Sequence, residues 1–511
     1  MRQVGDKIRI SAYDPLMEDD IFPLLLSFFP DKDAGGSLET DITFDDGKVR
    51  AKTVFTPAGS PDNVREESEE VKGPDKEANG SKKDVNGPDR EDSGLKNDPN
   101  AYRRELRKEV ARVVYLQIVK LTGKKLPWGM LTGVRPTKLV LERLEQGLGM
   151  HATYLMDRFC VTQEKATLAV RVAHKEYTLI NDIDYKNGFS LYVGIPFCSS
   201  ICNYCTFGAH PLSRFGQYVE PYLEALAKEI RETSRLMKKR LDSVYVGGGT
   251  PTILSSAQLK WLIDLIKESF DMSAVRELSV EAGRPDSITE EKLRVLKDSG
   301  VTRISINPQS MVERTLNTIG RAHTPGQITE AFRAARACGF DNINADIIAG
   351  LSGETPEDFA YTLGQLEKLA PECLTVHTLA HKRAARLTTS PQMYEGLEAK
   401  GVKEMVEAGA VWAKEHGMEP YYLYRQKNMT ESLENIGYSL PGKECLYNIL
   451  IMEERQMILA LGAGASSKFV RDCAERFERV ENVKSVKDYV ERIDEMIDRK
   501  RRYIEEYNIE V

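Results

Sequence analysis

The chain has 511 residues, enough for two or three domains at roughly 150 residues each, and its 41% hydrophobic and 29% charged residues are typical of a globular protein. A formal net charge of −7 argues against a general nucleic-acid binder, which would carry a basic excess. No apolar stretch approaches the roughly 20 residues of a membrane span, and the first residues lack the basic and apolar regions of a secretory signal. These features predict a cytoplasmic protein with reduced thiols, no membrane span and no nucleic-acid partner.

Residues 1–56 predict a small α+β module. Its strand-like runs are Lys7 to Ser11, Thr40 to Phe44 and Arg50 to Phe55. The composition then changes sharply, because no aromatic residue lies between Phe55 and Tyr102 and Pro, Gly, Asn, Asp, Glu and Lys dominate. Such a segment buries too little apolar surface to offset its ordering entropy, so residues 57–100 are predicted to be a disordered, charged insertion.

Residues 101–185 predict a helical region. The segment Pro127 to Lys138 interrupts the helical pattern and begins another helix. Its Gly133, Arg135 and Lys138 are placed to meet an anion at a helix N-terminus. A structural loop that packs Trp128 explains the same segment, and the sequence leaves both interpretations open.

The next feature is a cysteine loop that directly follows a strand-like run. Cys198, Cys202 and Cys205 are spaced C-x3-C-x2-C, whereas the other five cysteines are scattered singly: Cys160, Cys338, Cys373, Cys445 and Cys473. Structural zinc prefers four closed ligands, and no second pair of cysteines or histidines is available to complete this loop. A disulfide framework needs paired cysteines in an oxidising compartment. Three thiolates suit a [4Fe–4S] cluster with one open iron, which, unlike a cluster with four protein ligands, can bind a cofactor directly.

This loop resembles the cluster-binding loop of the radical S-adenosylmethionine (SAM) superfamily. The resemblance implies a [4Fe–4S] cluster on Cys198, Cys202 and Cys205, whose free iron chelates the amino and carboxylate groups of SAM. It also implies an electron transfer from the cluster that breaks a C–S bond of SAM.

From Leu191 onward, strand and helix patterns alternate. The predicted strands are Leu191–Ile195, Ser243–Val246, Glu277–Glu281, Arg303–Asn307, Asn342–Ile348 and Cys373–His377. The predicted helices are Gln217–Lys239, Ser256–Ser269, Thr289–Ser299, Pro325–Cys338 and Pro356–Leu369. Six such units imply a parallel sheet with right-handed crossovers, and they match the partial (β/α)6 barrel of radical SAM proteins.

The predicted fold class is therefore α/β: a partial (β/α)6 TIM-like radical SAM barrel with an N-terminal α+β extension and a C-terminal α-rich region. The barrel is assigned to residues 186–385 and a substrate-covering region to residues 386–511. An amphipathic helix is predicted from Val483 to Tyr507.

Polar and glycine residues follow successive predicted strands, at the barrel end where chemistry gathers. Gly247 to Thr252 reads G-G-G-T-P-T, and consecutive glycines let backbone approach a ligand closely, although a tight turn would need them too. Glu281 closes an apolar strand, where a carboxylate is costly to bury without a partner. Arg321 suits a carboxylate, and Asp346 suits ribose hydroxyls.

The ordered motifs Y-x-G-I-P-F-C-x3-C-x2-C, G-G-G-T-P-T, V-E-x3-P-D, N-P-Q-S, R-x-H and D-I-I-x-G-L resemble the oxygen-independent coproporphyrinogen III oxidase (coproporphyrinogen dehydrogenase) family. V-E-A-G-R-P-D and T-G-V-R-P-T-K point to its HemZ-like branch. The resemblance implies oxidative decarboxylation of two propionates of coproporphyrinogen III to vinyls by a 5′-deoxyadenosyl radical. It assigns these residues to SAM: Tyr192, Phe207, Gly247, Gly248, Thr250, Glu281, Gln309, Arg321 and Asp346.

A tetrapyrrole with four carboxylates needs cationic partners. Lys382, Arg383 and Arg386 follow the sixth strand, and Arg425 lies further along the chain; solvated surface positions are an equally good interpretation of each. Leu459 to Ser467 resembles the family's glycine-rich closing motif. The superfamily resemblance also implies reduced flavodoxin or ferredoxin as the electron donor.

Two positions depart from the best-known oxidases, which carry H-I-P-F-C and a further cysteine two residues after the third. Gly194 and Phe207 stand there in this chain. Relatives with C-x-F at this loop include haem chaperones, so a haem-binding chaperone is the main alternative. Another radical SAM reaction such as methyl transfer, or a purely structural cluster, are further alternatives.

Overall fold

The computed structural model describes residues 2–4, 8–28, 36–45, 48–58, 60, 62–71, 99–133, 135–205, 209–380, 401–426, 433–471 and 476–509. Contacts within the chain divide it into two compact units. The first comprises Met1–His174 with Arg425–Leu433, and the second comprises Lys175–Tyr424 with Glu434–Val511. Among the described helices, none is long and apolar enough to cross a membrane.

The first unit contains a five-stranded sheet in the order of the chain. Its strands are β1 (Arg2–Val4), β2 (Ile8–Ala12), β3 (Gly36–Asp45), β4 (Lys48–Pro57) and β5 (Arg65–Val71). Its helices are Pro15–Phe28, Pro99–Thr122, Thr137–Glu145, His151–Phe159 and Gln163–Ile180, the last of which extends into the second unit. Side chains along β4 alternate between exposed and buried, so one face of the sheet packs on a helix-covered core. The predicted α+β character of this region agrees with the structure.

Strand β5 lies within the segment that the composition predicted to be disordered. Six of its seven residues are polar, but they pair with β4 in antiparallel register, and Val71 is buried. Two ion pairs cross from β4 to β5, Lys52 with Glu66 and Lys48 with Glu70. An edge strand needs only one buried face and backbone pairing to be ordered. The prediction of disorder was therefore wrong for residues 65–71. Residues 72–98 lie outside the described residues.

The loop after helix Pro99–Thr122 fits its structural interpretation. Trp128 is completely buried, and the backbone carbonyls of Leu126 and Trp128 accept hydrogen bonds from Gly129 and Leu131. Lys138 forms an ion pair with Glu142 one helical turn further on. The segment therefore packs Trp128 into the first unit.

The second unit is built on an eleven-stranded sheet. Its strands lie in the order Glu419–Tyr424, Asn435–Ser439, Cys373–Thr378, Ile343–Ala349, Arg303–Ile306, Glu277–Gly283, Arg240–Gly248, Gly188–Ile195, Met457–Leu461, Ser466–Arg471 and Arg476–Glu481. The six predicted strands form its centre: β6 (Gly188–Ile195), β9 (Arg240–Gly248), β10 (Glu277–Gly283), β11 (Arg303–Ile306), β12 (Ile343–Ala349) and β13 (Cys373–Thr378). They are parallel and almost wholly buried, as expected for strands that helices cover.

The helices between these strands fall close to the predicted positions. They are Val219–Leu236, Ser256–Ser269, Glu290–Asp298, Pro325–Ala337 and Pro356–Leu369, and shorter helices span Leu212–Phe215 and Glu313–Thr318. Three of them begin at capping boxes, with Ser255, Thr324 and Thr355 as the capping residues. The predicted α/β fold with its six β/α units is confirmed.

The C-terminal region contains both helix and strand. It adds β14 (Glu419–Tyr424), β15 (Asn435–Ser439), β16 (Met457–Leu461), β17 (Ser466–Arg471) and β18 (Arg476–Glu481) to the sheet. Its helices are Val402–Glu415, Leu446–Glu453, Val486–Glu491 and Ile493–Ile509. The prediction of helix after Val483 agrees, but the five strands were not predicted. They extend the sheet at both edges, and they join its centre through two pairs that are distant in sequence, β15 with β13 and β16 with β6.

A completely buried ion pair connects this C-terminal region to the barrel. Lys500 Nζ lies 2.7 Å from Glu229 Oε1, and both side chains have no exposed surface. The other carboxylate oxygen, Oε2, accepts hydrogen bonds from the Tyr489 hydroxyl at 2.6 Å and the Gly462 amide at 2.8 Å. Asn482 completes the set, since it bonds to Glu229 Oε1 and to the Gly462 carbonyl. The buried Glu229 carboxylate thus binds helix Val486–Glu491, helix Ile493–Ile509 and the loop after β16.

Substitution of Lys500 by Met should destabilise the protein by about 3 kcal/mol or more, because it leaves a buried carboxylate without its cation. The exposed ion pair between Lys228 and Asp494 joins helix Val219–Leu236 to helix Ile493–Ile509, as the buried pair does, and provides a matched control. Lys228→Met should change the free energy of unfolding little, as is usual for surface pairs. Denaturant unfolding of both variants measures this, and equal effects would contradict the assignment.

Candidate functional site

The carboxyl ends of β6 and β9 bring the cysteine loop and the glycine run together. Gly194 pairs with Gly247 and Ile195 with Gly248 at the end of the parallel ladder. The backbone contact continues beyond the strands, since Gly249 donates to the Ile195 carbonyl at 2.8 Å and Thr250 donates to the Phe197 carbonyl at 2.9 Å. A side chain at Gly249 would lie 2.6 Å from the Phe197 carbonyl oxygen, so this close approach requires glycine.

None of the three cysteines of the loop forms a disulfide. Cys198 lies in the short strand β7 (Phe197–Cys198), which pairs with β8 (His210–Pro211), and burial raises the pKa of its thiol. Cys198 and Cys202 are buried, Cys205 is half-buried, and the Cys205 amide donates to the Cys202 carbonyl at 3.1 Å. Across the described residues, no three ligating side chains surround one point as a single ion would need. A four-iron cluster instead places each cysteine on a different iron.

Glu281 faces the glycine run from the end of β10. The Tyr245 hydroxyl donates to its Oε1 at 2.6 Å, and the Gly248 amide donates to its Oε2 at 3.1 Å. Burial raises the pKa of Glu281 to about 7, and the nearby Asp346 carboxylate adds to this, although both hydrogen bonds oppose it. Gly248 has φ +113°, and a side chain at Gly247 would lie 2.9 Å from the Glu281 carboxyl carbon. The site therefore holds a buried acid that a cationic ligand would ionise.

Two further predicted residues follow β11. Gln309 adopts φ +65°, which is uncommon outside glycine, because its backbone bonds on both sides to β12, with Asp346 and Ile348. Arg321 is buried and donates to the Tyr204 hydroxyl at 2.9 Å and the Asn307 carbonyl at 2.8 Å. The cysteine loop contains Tyr204, so Arg321 connects that loop to the end of β11.

Asp346 lies in the middle of β12, and His377 is the next-to-last residue of β13. Asn344 donates to Asp346 Oδ1 at 2.6 Å, and His377 Nε2 lies 3.7 Å from Oδ2. Burial opposes ionisation of Asp346, but His377 and Asn344 outweigh it and hold its pKa below the usual value. Burial favours the protonated form of both Asp346 and Glu281, but only at Asp346 do the partners outweigh it.

Tyr192 packs in a row of aromatic rings. Its ring stacks on Tyr245 at 6.3 Å and on Tyr447 at 6.2 Å between centroids, and Tyr245 and Tyr447 stack at 4.6 Å. Tyr245 and Tyr447 were not predicted as site residues. Tyr245 occupies the strand position that pairs with Tyr192, so the parallel register was the signal that would have found it.

Of the other predicted positions, four are not described by the structure and one belongs to the first unit. Phe207, Lys382, Arg383 and Arg386 lie outside the described residues. Arg425 belongs to the first unit, where its guanidinium lies over the Trp128 ring and donates to the Leu131 carbonyl. Its predicted role toward propionates therefore has no support from its contacts within that unit.

Several buried polar atoms on β10, on β11 and in the segment after β11 have no hydrogen-bond partner in the described part of the chain. They are Ser279 Oγ, Ser305 Oγ, Asn307 Oδ1, Gln309 Oε1 and Arg321 Nε. Buried polar groups are normally paired, so this set fits a polar ligand with several donors and acceptors. SAM, with its ammonium, carboxylate and ribose groups, matches the surrounding carboxylates, guanidinium and glycine backbone.

Comparison with known proteins identifies the class. Residues 192–366 match the model of the radical SAM superfamily. The second unit has the corresponding fold: coproporphyrinogen III oxidase (HemN) from Escherichia coli, described as a radical SAM enzyme, is similar with a TM-score of 0.50 and 24% identity. That similarity covers 61% of this chain and 70% of the Escherichia coli chain. Proteins of this class bind a [4Fe–4S] cluster and SAM.

The chain belongs to the family of oxygen-independent coproporphyrinogen-III oxidase-like proteins of the HemZ type. It is 41% identical to HemZ of Bacillus subtilis over 78% of this chain and 81% of that protein. It is also 32% identical to the haem chaperone HemW of Bacillus subtilis, over 60% of this chain and 76% of that protein. The family prediction is confirmed, while the choice between oxidase and chaperone stays open.

Substitution of Gly248 by Ala should prevent assembly of the cluster loop. The positive φ disfavours a side chain by about 1–3 kcal/mol, and the added carbon would lie 3.2 Å from the backbone of Ile195. We expect reduced iron content after anaerobic reconstitution. Gly364→Ala is the control, because Gly364 lies in helix Pro356–Leu369 with no atom within 4 Å of the new carbon. Iron loading of Gly248→Ala equal to that of the control would refute the expectation.

Proposed function

We propose that this protein catalyses the oxygen-independent oxidative decarboxylation of coproporphyrinogen III to protoporphyrinogen IX, a step of haem biosynthesis. The observation that carries the proposal is the cluster of three cysteines outside any disulfide, glycine backbone, Glu281 and Arg321 at the strand ends of a radical SAM barrel. The HemZ-type family membership supports the substrate class. When bound, the cluster and SAM would supply the radical chemistry that removes a hydrogen atom from a propionate, and loss of CO2 and of one electron to an external acceptor would leave the vinyl group.

In this proposal Cys198, Cys202 and Cys205 ligate the cluster. Burial of the first two excludes water from it, and their loop is already held by backbone bonds to the glycine run. The electron that reduces the cluster would come from flavodoxin or ferredoxin, as the resemblance implies.

Glu281 and the Gly248 region would bind the SAM ammonium. A cation beside Glu281 compensates the burial that raises the pKa of its carboxyl group. Arg321 is suited to the SAM carboxylate, since its Nε has no hydrogen-bond partner within the described chain. Gln309, with its buried and unpaired Oε1, and Asp346 would accept from the remaining polar groups of SAM. Tyr192, Gly247 and Thr250 shape the pocket around them.

Haem binding and transfer is the second candidate function. It is favoured by the similarity to HemW and by Phe207 at the position where the best-known oxidases carry cysteine. Against it, no histidine follows His416 in the sequence, so residues 417–511 offer no imidazole for haem iron. The oxidase is therefore the proposal that we favour.

SAM affinity should depend on pH through Glu281. Below pH 7 the free carboxyl group is protonated and must lose its proton to bind an ammonium, so affinity should weaken by up to about tenfold per pH unit. Neighbouring Tyr245, Asp346 and Arg303 keep their charge states over this range. The dissociation constant of cluster-loaded protein, measured anaerobically from about pH 5.5 to about pH 7, tests this.

Two variants separate this effect from general acid sensitivity. Glu281→Gln should bind SAM weakly and without the pH slope. Glu354 is also buried with a pKa raised to about 7, chiefly by burial, but it bonds to Ser310 outside this cluster. Glu354→Gln should keep the slope, and loss of the slope in both variants would disprove the assignment to Glu281.

The proposed reaction is tested anaerobically with reconstituted protein, SAM, a reductant and coproporphyrinogen III. Vinyl-containing product and 5′-deoxyadenosine should form together. Both should disappear in Cys202→Ala and persist in Cys338→Ala, whose thiol contacts the Glu290 carbonyl in a surface helix region. Deoxyadenosine without vinyl product would reject this substrate but retain radical chemistry. Tight haem binding without either product would favour the chaperone.

A further inference from the structure

Arg284 and Asp286 form a buried ion pair against the cysteine loop. Arg284 lies just after β10, and only 5% of its side chain and 15% of that of Asp286 is exposed. Arg284 Nε donates to Asp286 Oδ1 at 3.0 Å, and Nη2 donates to Oδ2 at 3.3 Å. This two-point geometry fixes the orientation of the guanidinium plane.

The same pair contacts the residues between the first two cysteines. Arg284 Nη1 donates to the Ser200 carbonyl and hydroxyl oxygens, both at 3.0 Å. The Ser199 hydroxyl donates to Asp286 Oδ2 at 2.6 Å. The C-x3-C interval is therefore attached to β10 through one cation and one anion, in addition to its backbone contact with the glycine run.

Arg284 also reaches a sulfur. Its Nη1 lies 3.7 Å from Cys202 Sγ, within hydrogen-bonding distance for sulfur. The guanidinium carries a full positive charge at every accessible pH, and burial strengthens its field because little water screens it. A cation hydrogen-bonded to a cluster ligand favours the form of the cluster with more negative charge, which is the reduced form.

We propose that Arg284 is a positioning residue that raises the reduction potential of the cluster, and that Asp286 limits this effect. Arg284 stabilises the added electron in the one-electron reduction by the external donor, while the Asp286 carboxylate partly cancels the positive field. Because the carboxylate and the sulfur lie on different edges of one guanidinium, removal of each partner shifts the potential in an opposite direction. The inference requires the cluster but not the proposed substrate.

The test is the midpoint potential of the anaerobically reconstituted cluster, measured without SAM by a redox titration followed by electron paramagnetic resonance. Arg284→Gln should lower the potential by about 59 mV or more, which is a tenfold loss in the one-electron equilibrium constant. Asp286→Asn should raise the potential. Arg284→Lys keeps the charge and should lie between Arg284→Gln and the unmodified protein.

Two control variants distinguish the electrostatic field of Arg284 from its role in anchoring the cysteine loop. Arg276 precedes the same strand at its other end and pairs with Asp182 on the surface, so Arg276→Gln should leave the potential unchanged. Ser199→Ala removes an anchor of the loop without changing charge and should also leave it unchanged. Iron content per chain is measured for every variant.

Opposite shifts for Arg284→Gln and Asp286→Asn at full iron content would support the proposal. Unchanged potentials, or shifts in the same direction, would overturn it and leave Arg284 a purely structural anchor. If Arg284→Gln takes up no iron, Asp286→Asn decides alone: a raised potential supports the proposal, and any other result rejects it. Activity with coproporphyrinogen III plays no part in this test, so its failure is distinguishable from failure of the proposed function.

Discussion

Backbone pairing between the end of β6 and the glycine run after β9 determines where the cysteine loop can lie. Register brings Gly194 and Ile195 opposite Gly247 and Gly248, and the hydrogen bonds of Gly249 and Thr250 extend this pairing to the first cysteine. Any side chain at Gly249 would meet the backbone at Phe197. The close approach is thus possible only with glycine, and the position of the first thiol, that of Cys198, follows from the sheet register.

The strand ends hold polar groups that the chain does not satisfy by itself. Burial raises the pKa of Glu281, whereas His377 and Asn344 hold that of Asp346 low, so two carboxylates in one site have different protonation states near neutral pH. Unpaired buried atoms such as Gln309 Oε1 cost free energy in the absence of a ligand. A binding site tolerates this free-energy cost because a bound ligand offsets it with hydrogen bonds to these atoms.

The central strands and their helices could be predicted from the sequence because each is a local pattern of apolar residues, and three of the helices begin at a capping box. The edge strands could not, since β5 is mostly charged and β16 is a short apolar run whose partner, β6, lies far away in sequence. Cysteines, glycines and Glu281 were found through motifs. Arg284 belonged to a quoted motif, yet its contact with Cys202 depends on how the loop folds back toward β10.

Glu277 and Glu281 show how one strand separates stability from chemistry. The two are four residues apart on β10, so they point to the same face of the sheet at opposite ends. Glu277 accepts from the Cys445 thiol at 3.3 Å and from the Leu446 amide at 2.8 Å, at the start of helix Leu446–Glu453, where backbone amides favour an anion. Glu281 accepts hydrogen bonds from only one hydroxyl and one glycine amide, and burial raises its pKa to about 7. Glu277, with its full set of partners, lies at the amino end of the strand, and Glu281, with fewer partners, lies toward the carboxyl end. In a parallel β/α barrel the amino ends of the strands contribute to stability and the carboxyl ends form the active site.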